Sequence, residues 1–182
     1  MPTKTPATAF DLGRVRENGK AELVGGELVL MSPTGGKPGW AASRIWRSLD
    51  DYEGRVGGGY AFGDNVGFLV DLPHRKSFSP DAAFFRGILR MGFQEGAPVL
   101  AEVRSENDYG EGPEAEMSRK RADYFAAGTV VVWDVDLVGD DVVRVHRAHD
   151  PLNPTIYRRG ELAEAEPAVP GWTMPVDDVF AW

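Results

Sequence analysis

Two carboxylates in this sequence stand at unusual places in apolar segments. Asp81 follows Pro80 and opens the apolar run 82–85, and Glu102 follows the apolar run 99–101. A lone carboxylate on a buried strand is costly unless it is neutral, paired or bound to a metal ion. The interval between the two is long enough for one strand, a loop and the start of a neighbouring strand. Carboxylates on adjacent strands would form a hard oxygen site suited to Mg²⁺ or Mn²⁺.

A lysine on a predicted helix could complete such a site. Met117, Lys120 and Tyr124 follow one another at spacings of three and four and therefore share one helix face. Because Met and Tyr are typical of a packed face, we expect Lys120 to point toward the sheet, whereas Arg119 and Arg121 are expected to face solvent. The alternative is a lysine whose stem only covers apolar surface.

Each of these acidic residues also has an ordinary structural explanation. Glu102 could form a salt bridge with Arg104, which lies on the same strand face two residues later. Asp81 could be a turn residue at the entry to a strand. Glu27, which follows Gly25-Gly26, could be a solvated glutamate of a hairpin. The residues alone leave both sets of interpretations open.

Composition excludes several classes of site and protein. The chain has 182 residues and no cysteine, which excludes disulfides, thiolate zinc sites and cysteine nucleophiles. Its net charge of −8 disfavours a protein that coats nucleic acid through a general basic surface, although a local basic cleft is compatible with it. The longest apolar runs are far shorter than the ~20 residues of a membrane helix. We therefore expect a cytoplasmic protein with no membrane contact.

The hydrophobic pattern predicts the elements that must position these residues. They are a hairpin over 23–30, a helix over 40–53, strands over 65–71, 81–85 and 98–104, a helix over 113–127, and strands over 129–136 and 142–146. Residues 1–20 are predicted to be a loose lead-in and residues 21–182 a single domain. This order predicts an α+β fold, close to α/β, with one mixed central sheet flanked by helices.

An ordered set of segments resembles the Uma-two family of bacterial proteins. The resemblance covers about residues 22–182 and rests on Gly26-Glu27 with Met31-Ser32-Pro33, Pro80-Asp81, Glu102-Val103-Arg104-Ser105 with Asp108, Lys120 with Tyr124 and Gly128, and Trp133-Asp134-Val135-Asp136. No single segment is specific to this family, but the whole set is, because the segments occur in the family's order and with fitting gaps between them.

That family is similar to the restriction-endonuclease-like superfamily and its PD-(D/E)xK signature, which implies a metal-dependent phosphodiesterase. The resemblance implies that Asp81 and Glu102 bind the metal ion, Mg²⁺ or Mn²⁺, with the backbone carbonyl of Val103. Lys120 would be the signature lysine, moved from the strand to the adjacent helix. Glu27 would match the carboxylate that the family supplies early in the fold, and Tyr124 would support the site.

The chain departs from the family pattern at three places. Arg104 stands where many superfamily members carry lysine, and arginine stays protonated, so Lys120 is the better candidate and Arg104 an electrostatic support. The stretch 36–39 lacks a histidine that relatives often carry. Glu106 follows Ser105 where relatives often have proline.

Two functions follow as hypotheses. The first is a nuclease with nucleic acid, DNA above all, as its substrate, acting as a homodimer. The second is a non-catalytic homo-oligomeric binding or regulatory module on the same fold, favoured by the acidic charge and the missing histidine. Five tryptophans, Trp172 and Trp182 among them, could supply its interface, although we favour a place in the core for them.

Overall fold

A computed structural model describes residues 5–15, 19–104 and 108–182 of the chain. The helices are α1 (Ala9–Leu12), α2 (Gly36–Val56), α3 (Glu111–Ala126) and α4 (Val176–Val179). The strands are β1 (Ala21–Val24), β2 (Glu27–Leu30), β3 (Tyr60–Phe62), β4 (Phe68–Leu69), β5 (Ser77–Phe78), β6 (Ala82–Phe85), β7 (Gln94–Glu95), β8 (Val99–Val103), β9 (Val131–Asp136), β10 (Val142–Arg147), β11 (Asp150–Tyr157), β12 (Leu162–Glu164) and β13 (Thr173–Pro175). Among the described helices, none has the length and apolar character that crossing a membrane requires.

The central sheet of the described chain has the strand order β11-β10-β9-β8-β6-β3. Strands β8 and β9 are parallel, and the other neighbours are antiparallel. Since α3 connects β8 to β9, this parallel pair is a β-α-β crossover. The predicted α+β fold with a mixed central sheet between helices is confirmed.

One face of the sheet packs against α2 and the C-terminal segment. Ala41, Ile45, Leu49 and Tyr52 form a buried apolar stripe on α2, and it contacts a core that includes Trp133. The indole of Trp133 in turn packs against that of Trp172, with ring centroids 4.8 Å apart. This layer buries one face of the central sheet in a single hydrophobic core.

The other face of the sheet packs against α3. Its apolar part includes Phe78 and Phe85 together with Tyr124 of α3. The rings of Phe78 and Tyr124 are stacked, with centroids 3.8 Å apart. Beyond this apolar part, toward the carboxyl end of β8, the same face carries charged residues. Helix α3 is therefore fixed by apolar packing at Tyr124. One turn earlier, at Lys120, the helix lies over the charged residues.

Helix α3 begins and ends close to the predicted positions. Pro113 lies in its first turn with Glu111 and Glu114, where acidic groups favour the positive end of the helix dipole. Gly128 follows the helix with a φ of 105°, a left-handed conformation that suits glycine after a helix.

Two predicted elements are corrected by the structure. Helix α2 begins at Gly36, not Trp40, so the predicted loop ahead of it is shorter. The strand predicted over 65–71 is reduced to Phe68–Leu69. Asn65 has a left-handed φ of 67°, and its N–H donates to the carboxylate of Asp64. This local turn, which asparagine tolerates well, ends any extended backbone at that point.

The predicted lead-in contributes to the fold in its described part. Residues Ala9–Leu12 form α1, which Thr8 and Asp11 cap reciprocally. Leu12 packs with Ala21 and Leu23 of β1. This contact orders the chain that enters the hairpin.

The packing of α2 predicts the effect of one core substitution. Ile45 is 1% exposed, so Ile45→Ala should lower the free energy of unfolding by about 2–4 kcal/mol through lost burial and a residual cavity. Urea unfolding monitored by tryptophan fluorescence measures this. Val56→Ala on the same helix, where Val56 is 63% exposed, serves as the control and should change it by less than about 0.5 kcal/mol. Equal losses for both variants would contradict the packing of α2.

Candidate active site

The ends of β6 and β8 bring the two predicted carboxylates together. The last registered pair of these strands is Ala82 with Ala101, and Asp81 and Glu102 continue the same register by one residue. Oδ2 of Asp81 accepts the backbone N–H of Val103 at 2.8 Å. This bond fixes the aspartate to the neighbouring strand, because a backbone donor of a central sheet cannot move freely.

Glu102 is held by two side chains of α3. The hydroxyl of Tyr124 donates to Oε1 of Glu102 at 2.5 Å, and Nζ of Lys120 lies 3.0 Å from the same oxygen. Burial raises the pKa of Glu102 to about 7; Lys120 opposes this rise, and the nearby carboxylates of Asp81 and Glu22 add to it. Near neutral pH, Glu102 is therefore poised between its neutral and ionised forms.

Lys120 keeps its proton in this setting. Burial alone would lower its pKa, but the carboxylates of Glu102, Glu22 and Asp81 outweigh it and raise the pKa above the usual value. For Tyr124, by contrast, burial acts in the other direction and raises the pKa of the hydroxyl well above its usual value. Both side chains are therefore hydrogen-bond donors, and Lys120 is a cation and not a base. The inward orientation predicted for Lys120 is confirmed.

Glu22 on β1 is the second acidic partner of Lys120. Its Oε1 lies 3.2 Å from Nζ of Lys120 and accepts the backbone N–H of Ser79 at 2.9 Å. Its side chain is nearly fully buried, and its Oε2 accepts Nη1 of Arg75 at 2.5 Å. Sequence reasoning missed this residue. The signal was present, because Glu22 lies between Ala21 and Leu23 in a short apolar strand, as Glu102 does in its own strand.

The structure places one hairpin carboxylate, that of Glu22, beside Lys120. Glu27, which the resemblance suggested for this part, is exposed at the start of β2. The turn at Gly25 and Gly26, both with left-handed φ, separates the two glutamates. The role implied for Glu27 stays a prediction, and Glu22 on the preceding strand is the hairpin carboxylate that lies beside Lys120.

Lys20 is a second cation that sequence reasoning missed. Its Nζ lies 2.8 Å from Oδ1 of Asp81 and 2.6 Å from Oδ1 of Asp64, and its side chain is 12% exposed. Burial lowers the pKa of Lys20, but Asp81 and Asp64 outweigh this effect and raise it. Lys20 precedes β1 directly, within the segment predicted to be a loose lead-in, so no periodicity marked it.

An outer layer of charges continues from Glu22. Arg75 donates through Nε to Oδ2 of Asp123 at 2.7 Å, and Nε2 of His74 lies 2.7 Å from Oδ1 of the same aspartate. Asp123 lies on α3 three residues after Lys120. The hairpin, the β4–β5 connection and α3 are thus tied together by ion pairs next to the site.

Arg104 has acidic partners other than Glu102, the partner proposed in the structural alternative, and its electrostatic support of the site stays a prediction. It does not pair with Glu102; its Nε and Nη2 each bind Asp134 at 2.6 Å, and its Nη1 binds Glu114 at 2.6 Å. The hydrogen bond to Asp134 is the largest effect that raises the pKa of Arg104. Arg121 lies 3.2 Å from Asp134 with its side chain mostly covered, so the solvent-facing position expected for it is wrong.

The donor atoms fit a divalent cation. Asp81 and Glu102 offer carboxylate oxygens, and the carbonyl of Val103 belongs to the strand end that Asp81 binds. The carboxylates of Asp81, Glu102 and Glu22, with those of Asp64 and Asp123 in the adjoining ion pairs, share the ammonium groups of Lys120 and Lys20 and the guanidinium of Arg75. Among the described side chains, five carboxylates against these three cations leave an excess of negative charge that favours a further cation. Within the described ranges, no three acidic or imidazole groups could enclose an ion by themselves. Mg²⁺, which keeps several waters, needs no such cage.

Two residues named in the sequence comparison with the family, Ser105 and Glu106, lie outside the described residues.

Comparisons with known proteins identify a family and a similar fold. The family model Uma2, described as "Putative restriction endonuclease", matches residues 8–177. A crystal structure of a protein from Anabaena variabilis, described as a "putative nuclease belonging to DUF820", is similar with a TM-score of 0.74 and 17% identity, over 94% of this chain and 96% of that chain. At this identity the likeness concerns the fold. No curated protein matches the chain.

The raised pKa of Glu102 predicts a pH-dependent stability difference. Between its usual pKa of 4.5 and about 7, the folded state binds a proton that the unfolded state has lost, so stability falls as pH rises through this range. Glu102→Gln cannot ionise and should escape this loss. Relative to the wild type it should gain about 3 kcal/mol between pH 4.5 and pH 8. Urea unfolding with a chelator present measures this.

A matched variant controls for general effects of pH. Glu27→Gln makes the same change at an exposed glutamate, and its stability should follow the wild type across the range. If the curve of Glu102→Gln also ran parallel to that of the wild type, the buried position of Glu102 beneath α3 would be contradicted.

Proposed function

The chain belongs to the Uma2 family, and from this premise and the geometry of the site we propose that it is a nuclease that hydrolyses phosphodiester bonds with the help of Mg²⁺ or Mn²⁺. DNA is the proposed substrate, and a cytoplasmic homodimer is the proposed state, since two-fold dimers are the commonest soluble assemblies. The observation that carries the proposal is the ion pair of Lys120 with Glu102, 3.0 Å apart, next to Asp81 at the end of two adjacent strands.

The proposed reaction needs help because a phosphodiester is anionic and repels its attacking water. A divalent cation held by Asp81, Glu102 and the carbonyl of Val103 would supply neutralisation of that charge and activation of the water. Glu102 must be ionised for this role. Its pKa of about 7 places the required form within reach at physiological pH.

Lys120 contributes charge and hydrogen bonds to the proposed reaction. Because its ammonium keeps its proton, it can donate to the attacking water or to the negative charge that develops on the phosphate oxygens. Its second partner, Glu22, fixes the ammonium from the hairpin side. Tyr124 donates to Glu102 and orients that carboxylate. The three side chains thus hold a preorganised site, which is the main source of electrostatic catalysis.

A second candidate function is the non-catalytic homo-oligomeric module. The observation that favours it is that both predicted metal ligands are already ion-paired, Asp81 with Lys20 and Glu102 with Lys120. Two tryptophans could serve an interface, because Trp40 and Trp182 are about half exposed. Trp172 is buried, which confirms for that residue the place in the core.

A cleavage experiment separates the two candidates. Single- and double-stranded DNA and RNA are incubated with the purified full chain in Mg²⁺, in Mn²⁺ and in chelator. We expect metal-dependent cutting of DNA, and Asp81→Asn and Lys120→Met should each reduce its rate by at least ~100-fold, because each removes a charge at the reacting phosphate. Circular dichroism verifies that the variants are folded. Cutting that is equal in chelator, or unaffected by both substitutions, would contradict the proposal.

The two glutamates of the hairpin provide a sharper test. Glu22→Gln removes the second acidic partner of Lys120 and should reduce the cleavage rate by about tenfold or more. Glu27→Gln makes the same chemical change on the neighbouring strand at an exposed side chain and should leave the rate within about twofold. The reverse order of effects would show that the early carboxylate of the site is Glu27.

A further inference from the structure

Lys20 occupies a position that the proposed reaction leaves unexplained. Its ammonium bridges Oδ1 of Asp81 and Oδ1 of Asp64, at 2.8 and 2.6 Å. The side chains of Lys20 and Asp81 are both largely covered, whereas that of Asp64 is 40% exposed. The bridge therefore runs from the inside of the site to its rim.

The two oxygens of Asp81 have different partners. Oδ2 accepts the backbone N–H of Val103 and is fixed by the sheet. Oδ1 faces the ammonium of Lys20. A divalent cation that uses Oδ1 must therefore replace this ammonium, because two cations cannot share the same lone pairs at contact distance without strong repulsion.

We infer that Lys20 is a positioning residue that neutralises Asp81 in the metal-free protein and yields Oδ1 to the incoming divalent cation while it stays paired with Asp64. This inference rests on the proposed metal-dependent function. It explains why a buried aspartate of the site is stable before the metal binds, since an unpaired buried carboxylate is costly. It also makes metal binding weaker than the carboxylates alone would allow.

Asp64 gives the displaced ammonium a place to remain. It lies in the turn before β4, and Thr34 donates to its Oδ2 at 3.5 Å. Held there, the ammonium of Lys20 stays at the edge of the site, where an anionic substrate arrives. Asp64 thus lowers the cost of releasing Asp81.

Metal titration tests the inference directly. Mn²⁺ is titrated by calorimetry into the wild-type full chain, Lys20→Met and Asp81→Asn. Lys20→Met keeps the length of the stem and removes the charge, so we expect Mn²⁺ to bind about tenfold more tightly. The same variant without metal should melt at a lower temperature than the wild type, and saturating Mn²⁺ should remove this difference. Lys76→Met, at an exposed lysine paired with Asp71, is the matched control and should leave the Mn²⁺ affinity unchanged.

The outcomes separate this inference from the proposed function. Mn²⁺ binding that depends on Asp81 but is not tightened in Lys20→Met overturns the inference and leaves the nuclease proposal standing. Absence of Mn²⁺ binding in every variant overturns both. If Lys20→Met does not fold, Asp64→Asn replaces it. That variant leaves Lys20 with Asp81 as its partner and should weaken Mn²⁺ binding by at least about threefold, and an unchanged affinity overturns the inference.

Discussion

The ammonium of Lys120 between two buried carboxylates is the interaction on which this structure depends most. Glu102 belongs to the central sheet, Glu22 to the N-terminal hairpin and Lys120 to α3, so one cation joins three separate parts of the chain. The ammonium opposes the desolvation that disfavours the charged form of Glu102 and so limits the rise in the pKa of that carboxyl. Glu22 has the guanidinium of Arg75 as a second cationic partner. The ion pairs that the described residues form around this centre contain five carboxylates, those of Glu22, Asp64, Asp81, Glu102 and Asp123, but only three lysine or arginine cations, Lys20, Arg75 and Lys120. This residual negative charge is the physical basis for expecting a divalent cation.

Two arginines hold structural ion pairs around this centre. Arg104 joins Asp134 to Glu114, and Arg75 joins Glu22 to Asp123. Both arginines stay protonated at any physiological pH and are already multiply hydrogen-bonded, so they act as fixed braces. The side chains that could take part in chemistry are different ones. They are the carboxylate of Glu102, with a pKa of about 7, and the ammonium groups of Lys20 and Lys120.

The sequence allowed the prediction of those parts of the fold and site that depend on local patterns. Asp81 and Glu102 were predicted because each carboxylate adjoins an apolar strand. Helical spacing predicted that Lys120 and Tyr124 face the sheet together. Glu22 interrupts an apolar strand as Glu102 does, but its partner Lys120 lies on a distant helix, and the pairing of distant segments is not a local pattern. Lys20 escaped prediction for that reason, because its partners Asp64 and Asp81 are also distant in sequence. Arg104 was misassigned for the same reason: neighbouring residues on its own strand suggested Glu102, whereas a partner strand supplied Asp134. The strand predicted over 65–71 is mostly absent because the local turn at Asp64 and Asn65 outweighed the alternating apolar pattern.

Anomalous diffraction from crystals grown with Mn²⁺ would test the central claim most directly, since it locates the ion without relying on activity. The account predicts an anomalous peak bound by Asp81, Glu102 and the carbonyl of Val103, with Lys120 still beside Glu102. A peak at another place, or none at saturating Mn²⁺ with Asp81 and Glu102 still paired to their lysines, would contradict it. In that case the charges of this centre would hold the fold together and nothing more.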